Sequence, residues 1–257
     1  MAATPLPRAL VQSVERSLEI LESLAGEREL GLVEIAGRTG LRPSTAHRLL
    51  ATLVARGYAV QSRPSGRYML GYKLTELADA AGQRTARLRT LARPALELVQ
   101  AATGESANLS VLAAPSAVYV DQVEGTRAVR MLARIGAAVP AHASAAGKAM
   151  LARGPAGSAG ELLGGDPLPA FTANTITTLA ALEAELERIR ARGYAIDDEE
   201  HEPGVGCVAA AIVDRRVGAL AALSVSAPTQ RIAAAGPAVL GRLLAKHAEE
   251  VSRALAS

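Results

Sequence analysis

Basic side chains are concentrated in one stretch near the N-terminal end of the chain. Between Glu34 and Glu76 there is no acidic residue, but there are seven basic ones: Arg38, Arg42, Arg48, Arg56, Arg63, Arg67 and Lys73. The net charge of the whole chain is only +3, so this stretch is a local feature. A surface of one sign favours contact with a polyanion, although a solvated basic face would have the same composition.

A helical pattern inside this stretch separates apolar from polar side chains. At about 100° per residue, one arc of the helix collects the apolar residues Ala46, Leu49, Leu50, Leu53 and Val54. The opposite arc holds Ser44, Thr45, His47 and Arg48. Since the apolar arc is committed to a core, we expect the four polar residues to contact base edges in a DNA major groove.

The surrounding pattern predicts two more helices and a turn. Residues 13–25 have helical apolar spacing after Ser13, which is a suitable N-cap, and a second helix is expected over 32–38. Gly40 supplies a tight turn, and Pro43 suits the first turn of a third helix that runs to about residue 56. This is the helix-turn-helix pattern.

After Gly57 the period changes to that of a hairpin. Residues 58–61 and 67–70 read as strands around the turn 62–66, which gives a winged helix. Arg63 and Arg67 flank the turn and are expected on phosphates or in the minor groove, with Arg38 and Arg42 as further DNA contacts. The alternative is that the module only packs against another protein.

The rest of the chain predicts an α+β domain. Residues 71–90 read as a connecting helix with a weak point at Gly82, and helical spacing continues to Gly104. Strands are expected at 107–111, 117–123, 128–133, 206–213 and 219–226, and helices at 144–152, 179–192 and 229–253. Short strands with helices around them indicate an antiparallel sheet. The expected division is a winged helix over 8–70, a linker over 71–90 and a second domain over 91–257.

Two small groups of residues could hold an anion in this second domain. Ser144 is placed to cap a helix whose next residues, Ala145, Ala146 and Gly147, leave backbone N–H groups open to a carboxylate. Ser224 and Ser226 lie two apart on a strand, so both hydroxyls face one side, near Cys207 on a neighbouring strand.

Several segments together resemble the IclR family of bacterial transcriptional regulators. They are SVERSLEILESLA, LVEIAGRTGLRPSTAHRLLATLVARGYAV, GRYMLGYKLTELA, PAHASAAGKAMLA, FTANTITTLAALEAELERIRARGYAIDDEEHEPGVGCVAAAI and ALSVSAP, within residues 8–255. Two departures are that Arg42 precedes Pro43 rather than following a proline, and that Ala211 replaces a usual proline.

The resemblance implies a GAF-like effector-binding domain with a small-molecule site. The family's effector contacts fall on Met131, Ala145, Ala146, Asp197, Cys207, Ser224 and Ser226. Few aromatic residues and the candidate anion groups favour a small hydroxy, keto or amino acid as effector. A single recognition helix reads few base pairs, so we expect a homodimer or a dimer of dimers on a pseudo-palindromic operator.

Other chemistries are weakly supported. The Gly204–Ala209 segment fits G-x-G-x-x-A without the required strand and helix, and Gly147-Lys148 lacks the rest of a P-loop. The acidic run 197–202 could bind a metal, and Cys207 with His201 could act as nucleophile and base, but an acidic loop and a buried thiol explain them. We expect no cofactor, no metal and no enzymatic activity. The open alternative is a sensor or enzyme whose winged helix only mediates assembly.

The ends of the chain and its hydropathy bear on its location. The N-terminal segment has neither a basic region nor an apolar core of a signal peptide, and no apolar run reaches the ~18 residues of a membrane span. The lone Cys207 cannot form an internal disulfide. These features predict a cytoplasmic protein without a membrane partner.

Overall fold

The computed structural model describes residues 11–26, 29–154, 157–213 and 220–256. The expected domain start at residues 8–10, the strand start at 219 and residue 257 lie outside these ranges. The chain forms two compact units that divide between Arg84 and Thr85, within one long helix.

The first unit has three short helices followed by a hairpin. Its elements are α1 (Gln12–Ala25), α2 (Leu32–Thr39), α3 (Pro43–Ala55), β1 (Ala59–Gln61) and β2 (Tyr68–Leu70). The two strands are antiparallel, with Val60 opposite Met69. Side chains from all five elements and the segment before α2 form one core: Ile20, Leu24, Leu30, Ile35, Leu50, Leu53, Ala59 and Tyr68. The unit is the winged helix that the sequence predicts.

The turn between α2 and α3 depends on Gly40. Its φ of +65° lies in the left-handed region, which disfavours residues that carry a Cβ. Its N–H donates to the carbonyl oxygen of Ala36 and ends α2. Pro43 then occupies the first turn of α3, where a missing N–H is harmless. The turn and the proline together fix where α3 begins.

The start of α1 differs from the sequence-based expectation. Val11, not Ser13, occupies the N-cap position, and no side chain caps the helix there. Val14 and Leu18 belong to the helical apolar spacing of residues 13–25, yet they are 56% and 54% exposed, while Ile20 and Leu24 are buried. The reason is that only the C-terminal half of α1 meets the core, so apolar spacing further upstream has nothing to pack against within the unit.

The second unit is built on a six-stranded antiparallel sheet in the order β5-β4-β3-β8-β7-β6. The strands are β3 (Ser106–Ala113), β4 (Ser116–Val123), β5 (Ala138–Pro140), β6 (Ala195–Asp198), β7 (Val205–Val213) and β8 (Leu220–Pro228). The helices are α4 (Lys73–Thr103), which begins in the first unit, α5 (Ala145–Leu151), α6 (Ala159–Leu163), α7 (Leu179–Arg192), α8 (Thr229–Ala235) and α9 (Pro237–Ala256). This is the expected α+β class with an antiparallel sheet.

Helices cover both faces of the sheet. On one face, the part of α4 from Leu88 onward packs with α8 and α9 against aliphatic residues such as Leu109, Val208 and Leu223. On the other face, α5 and α7 pack through Met150, Leu182 and Leu186. Because residues alternate along each strand, the second face also receives polar side chains from β3 and β8.

Two expectations for the second unit are wrong. Residues 128–133 form no strand; β5 lies a few residues later, and the segment is held by Ser106 Oγ, which donates to the Met131 carbonyl at 2.5 Å. The expected helix 229–253 is two helices, since Gly236 ends α8 and Pro237 starts α9. The expected connecting helix and the helical spacing up to Gly104 form one helix, α4, which is continuous at Gly82. The sequence pattern also missed β6 and α6.

Among the described residues, none of the helices has the length and apolar content needed to cross a membrane.

Candidate functional site

The polar surface of α3 is exposed as the helical pattern predicts. Ala46, Leu50 and Leu53 are buried in the core of the first unit. The opposite side of the helix is accessible in the residues expected to contact DNA: Arg42, Ser44, Thr45, His47 and Arg48. The core therefore leaves one face of α3 free for a partner.

The two wing arginines have different surroundings. Arg63 is exposed in the turn between β1 and β2. Arg67 is half-buried; its Nη2 lies 2.6 Å from Glu34 Oε2 and 3.3 Å from the Glu29 carbonyl oxygen. The Gly31 N–H and the nearby Arg67 guanidinium lower the pKa of Glu34. Arg67 thus ties the wing to the start of α2, and Arg38 is exposed near the end of the same helix.

A groove of about 550 Å³ lies between α1 and α3. Arg42, Thr45, Arg48 and Thr52 line it from the α3 side, and Gln12, Ser13 and Arg16 from α1. The sequence pattern missed Arg16 because it lies upstream of the acid-free stretch. The feature that could have indicated Arg16 is a basic side chain in the N-terminal half of α1, which does not pack in the core of the first unit.

The second unit contains a cavity of about 320 Å³ on the face of the sheet that α5 and α7 cover. Strand register puts its polar residues side by side: Asp197 is opposite Cys207, and Cys207 is opposite Ser226. Asn108 of β3 completes the row, with its Nδ2 3.4 Å from Ser226 Oγ. Four strands thus supply one polar floor.

A chain of hydrogen bonds crosses this floor. Gln122 Nε2 donates to Asn108 Oδ1 at 2.7 Å, and Ser226 Oγ lies 3.3 Å from Cys207 Sγ. Asn108 Nδ2 carries two hydrogens, so it can donate to Ser226 and also to a ligand in the cavity. The floor therefore presents oriented amide donors to the cavity.

The expected effector residues divide into two groups. Those that line the cavity are Met131, Ala146, Asp197, Cys207 and Ser226. Ala145 and Ser224 are not in its lining: Ala145 is the first residue of α5 and packs in the core, and Ser224 lies two residues before Ser226 along β8. The Ser224 hydroxyl is buried and finds no hydrogen-bond partner among the described residues.

The N-terminus of α5 forms part of the cavity wall but offers less than expected. Ser144 caps the helix, and its Oγ accepts the Gly147 N–H at 3.2 Å, so that N–H is not open to a ligand. A Cβ at Gly147 would overlap the backbone of Ala141, so this glycine permits close packing. Ser144 and Ala146 are the residues of this segment that reach the cavity.

Two carboxyl groups at this site are buried, Asp197 in the cavity lining and Glu200 behind it. Glu200 is ion-paired with Lys148, which is fully buried on α5, and the Glu200 N–H donates to Asp197 Oδ1 at 2.8 Å. Burial raises the pKa of Glu200, and burial raises that of Asp197 to about 7. The acidic run was interpreted as a solvated loop, which is wrong for these two residues.

The remaining wall residues were not predicted. They include Asn108, Tyr119, Gln122, Leu132, Arg134, His201 and Glu202. Ser106, Asn108 and Ser110 alternate along β3 and are buried. A buried strand face is normally apolar, so this alternation of polar residues could have indicated a polar cavity. Loop residues such as Arg134 left no such pattern.

Other chemistries find little support in this geometry. The described residues contain no group of three His, Cys, Asp or Glu side chains placed to hold a metal ion. Burial raises the pKa of the Cys207 thiol to about 12, so the thiolate that a nucleophile requires is disfavoured.

A winged helix joined to a domain with a ligand-sized cavity is the architecture of a ligand-responsive transcriptional regulator. The family described as "Bacterial transcriptional regulator IclR C-terminal" matches residues 82–253, and the "IclR helix-turn-helix domain" matches residues 13–63. The chain belongs to the IclR family of bacterial transcriptional regulators.

Individual relatives agree with this assignment. The chain is 37% identical to the acetate operon repressor of Salmonella typhimurium, over 98% of this chain and 93% of the relative. The crystal structure of Thermotoga maritima IclR matches with a TM-score of 0.73 at 31% identity, over 96% of this chain and 100% of that one. An IclR homologue from Microbacterium hydrocarbonoxydans, complexed with 4-hydroxybenzoate, matches with a TM-score of 0.75 at 29% identity, over 95% and 98% of the two chains.

Proposed function

We propose that this regulator controls a metabolic operon by binding a pseudo-palindromic operator, and that a small organic acid in the second unit changes that binding. The observation that carries the proposal is the pairing of a free polar face on α3 with a polar cavity in a separate unit. The role of the Salmonella relative in the acetate operon supports a metabolic target. Such a protein acts in the bacterial cytoplasm, where the chromosome is.

Assembly follows from the length of DNA that one module can read. One recognition helix contacts too few base pairs for specific binding, so two modules must pair over two half-sites about one helical turn apart. We therefore propose a homodimer or a dimer of dimers. Sedimentation of the free protein and of its complex with a duplex measures both states.

The cavity suits a small acid with a second polar group. A neutral Asp197 can donate a hydrogen bond to a carboxylate, because its pKa is raised to about 7 by burial. Ser226 and Asn108 provide hydroxyl and amide contacts on the floor, and the exposed Arg134 provides a cation at the wall. The 4-hydroxybenzoate bound by the Microbacterium homologue has this character, a carboxylate with a distant hydroxyl.

The DNA part is tested by titrating a duplex from the upstream region of the operon at several salt concentrations. Neutralisation of several phosphates predicts that log K falls linearly with log salt, with a slope of about −0.9 for each phosphate contacted. A protein whose winged helix only mediates assembly would show no such slope. That result would favour the sensor or enzyme alternative.

The effector part is tested with the double variant Ser224→Ala/Ser226→Ala. Thermal shifts with 4-hydroxybenzoate and with small 2-oxo, 2-hydroxy and 2-amino acids identify a ligand of the unmodified protein by mass action. The double variant is expected to bind DNA normally and to lose the response to that ligand. An unchanged response at the same ligand concentration would place the effector elsewhere.

A further inference from the structure

The groove between α1 and α3 has the charge of an anion site. Arg16 of α1, Arg42 at the N-cap of α3 and Arg48 within α3 all line it, and the hydroxyl-bearing residues Ser13 and Thr45 are also in the lining. No acidic side chain is part of its described lining. Three guanidinium groups around one groove give it a positive potential, which attracts an anion.

The Arg16 guanidinium is oriented but not fully used. Its Nη1 contacts both carboxylate oxygens of Glu19, at 2.9 and 2.8 Å. Its Nε is buried and finds no acceptor among the described residues. Since both contacts with Glu19 use Nη1 and Nε is buried, Nη2 is the donor that can meet an oxygen-rich partner in the groove.

The position of the groove indicates which anion. Thr45 and Arg48 belong both to the groove wall and to the exposed face of α3, so a duplex that meets this face brings its backbone to the groove. Arg67, by contrast, does not line this groove, and its guanidinium is directed to Glu34 and to the Glu29 carbonyl oxygen. The positive charge of this groove therefore comes from α1 and from the N-terminal part of α3 rather than from the wing.

We propose that Arg16 and Arg42 clamp a DNA phosphate at the edge of the recognition surface, with Arg48 on the rim toward the bases. The clamp rests on the proposed function, because it requires that α3 faces DNA. It adds α1 to the DNA interface and gives Arg16 a phosphate-positioning role outside the two helices α2 and α3 and the turn between them. It also removes Arg67 from the phosphate contacts.

The salt dependence of binding to a random-sequence duplex of about 30 base pairs tests the clamp without knowledge of the operator. Losing one phosphate contact is expected to make the slope of log K against log salt shallower by about 0.9, and to weaken binding about 5- to 10-fold near 0.1 M salt. Arg16→Ala and Arg42→Ala should each show this change. Arg67→Ala is the matched control and should leave the slope unchanged.

Two further variants separate a contact from a folding effect. Glu19→Gln keeps the Arg16 charge and removes its carboxylate neighbour, so the slope should stay and low-salt affinity should rise. If Arg16→Ala lowers the melting temperature, Arg16→Lys replaces it as the test, because lysine keeps the positive charge. Arg16→Lys should retain the slope of log K against log salt and bind DNA more weakly. A folded Arg16→Lys protein with a slope reduced like that of Arg16→Ala would overturn the clamp.

The outcomes also separate the clamp from the function on which it rests. If the unmodified protein shows no salt-dependent duplex binding, the proposed function fails and the clamp fails with it. If the unmodified protein binds steeply but Arg16→Ala keeps the full slope, or Arg67→Ala loses as much, the clamp alone is overturned.

Discussion

The backbone N–H of Glu200 lies 2.8 Å from Oδ1 of Asp197, so a wall residue of the effector cavity is one hydrogen bond away from a buried ion pair. The side chain of the same Glu200 is paired with Lys148 on α5, which also carries Ala146 into the cavity wall. A ligand that changes the charge of Asp197 therefore acts on the contact that holds α5 to the loop after β6.

Asp197 should make stability depend on pH. Its folded-state pKa, about 7, is above the unfolded value of 3.8, so the native state binds the extra proton between these values. Stability from this group is full below about pH 4, declines as the pH rises, and levels off above about pH 7, by about 4 kcal/mol in total. The free energy of unfolding of Asp197→Asn, measured in urea, should therefore rise relative to that of the unmodified protein as the pH increases from about 4 to about 7.

The matched control for that measurement is Glu161→Gln, which removes one exposed carboxylate from α6. A stability difference between Asp197→Asn and the unmodified protein that stays constant from pH 4 to 7 would contradict the raised pKa.

Lys148 and Glu200 should be strongly coupled. Lys148→Met leaves a buried carboxylate without its partner, which is expected to lower the free energy of unfolding by about 3–5 kcal/mol. Glu200→Gln should also lower the free energy of unfolding, because it leaves the buried Lys148 ammonium without its carboxylate. The double variant is expected to recover much of the loss, and a double-mutant cycle from chemical denaturation measures the coupling. Additive losses would mean that the pair contributes little.

Gly147 and Gly37 should respond oppositely to alanine. A Cβ at Gly147 overlaps the Ala141 backbone, whereas one at Gly37 meets nothing within 4 Å. Gly147→Ala is expected to destabilise the second unit by more than about 1 kcal/mol, as overpacking does. Gly37→Ala, inside α2, should stabilise the first unit by about 0.4–1 kcal/mol. Thermal unfolding of both variants checks the contrast, and equal effects would refute it.

Arg48 and Arg63 should differ in sequence discrimination. Arg48 lies on the recognition face, so Arg48→Ala is expected to weaken binding to a selected operator more than to random duplex, by about 1–3 kcal/mol. Arg63→Ala in the wing should weaken both similarly and make the salt slope shallower. Equal losses for Arg48→Ala on the two duplexes would reassign it to a phosphate. An unchanged slope for Arg63→Ala would remove it from the interface.

Local patterns were enough to predict the first unit. The buried stripe of α3, the turn at Gly40 and the hairpin each depend on residues close in sequence, so periodicity and turn chemistry define them. The ion pair of Arg67 with Glu34 joins residues 33 apart and was not predictable from such patterns. The exposure of Val14 and Leu18 was not predictable for a related reason. Helical spacing shows which residues share a face, but not which other element packs against that face.

The effector cavity was only partly predictable. The family resemblance indicated Asp197, Cys207 and Ser226, which strand register does bring side by side. Asn108 contacts Ser226 across 118 residues, and this contact depends on the order of strands in the sheet. The burial of Asp197 and Glu200 could not be inferred from an acidic run. Glu200 is paired with Lys148, which comes from a distant helix, and Asp197 accepts the Glu200 N–H.

The place of Tyr119 in the cavity wall gives the protein a built-in optical reporter. The chain contains no tryptophan and only five tyrosines, so its intrinsic fluorescence comes from very few rings, one of which borders the effector site. A ligand that enters the cavity displaces water from that ring and changes its emission, which makes occupancy measurable without a label. Tyr119→Phe removes this part of the signal and leaves the other four tyrosines as an internal reference.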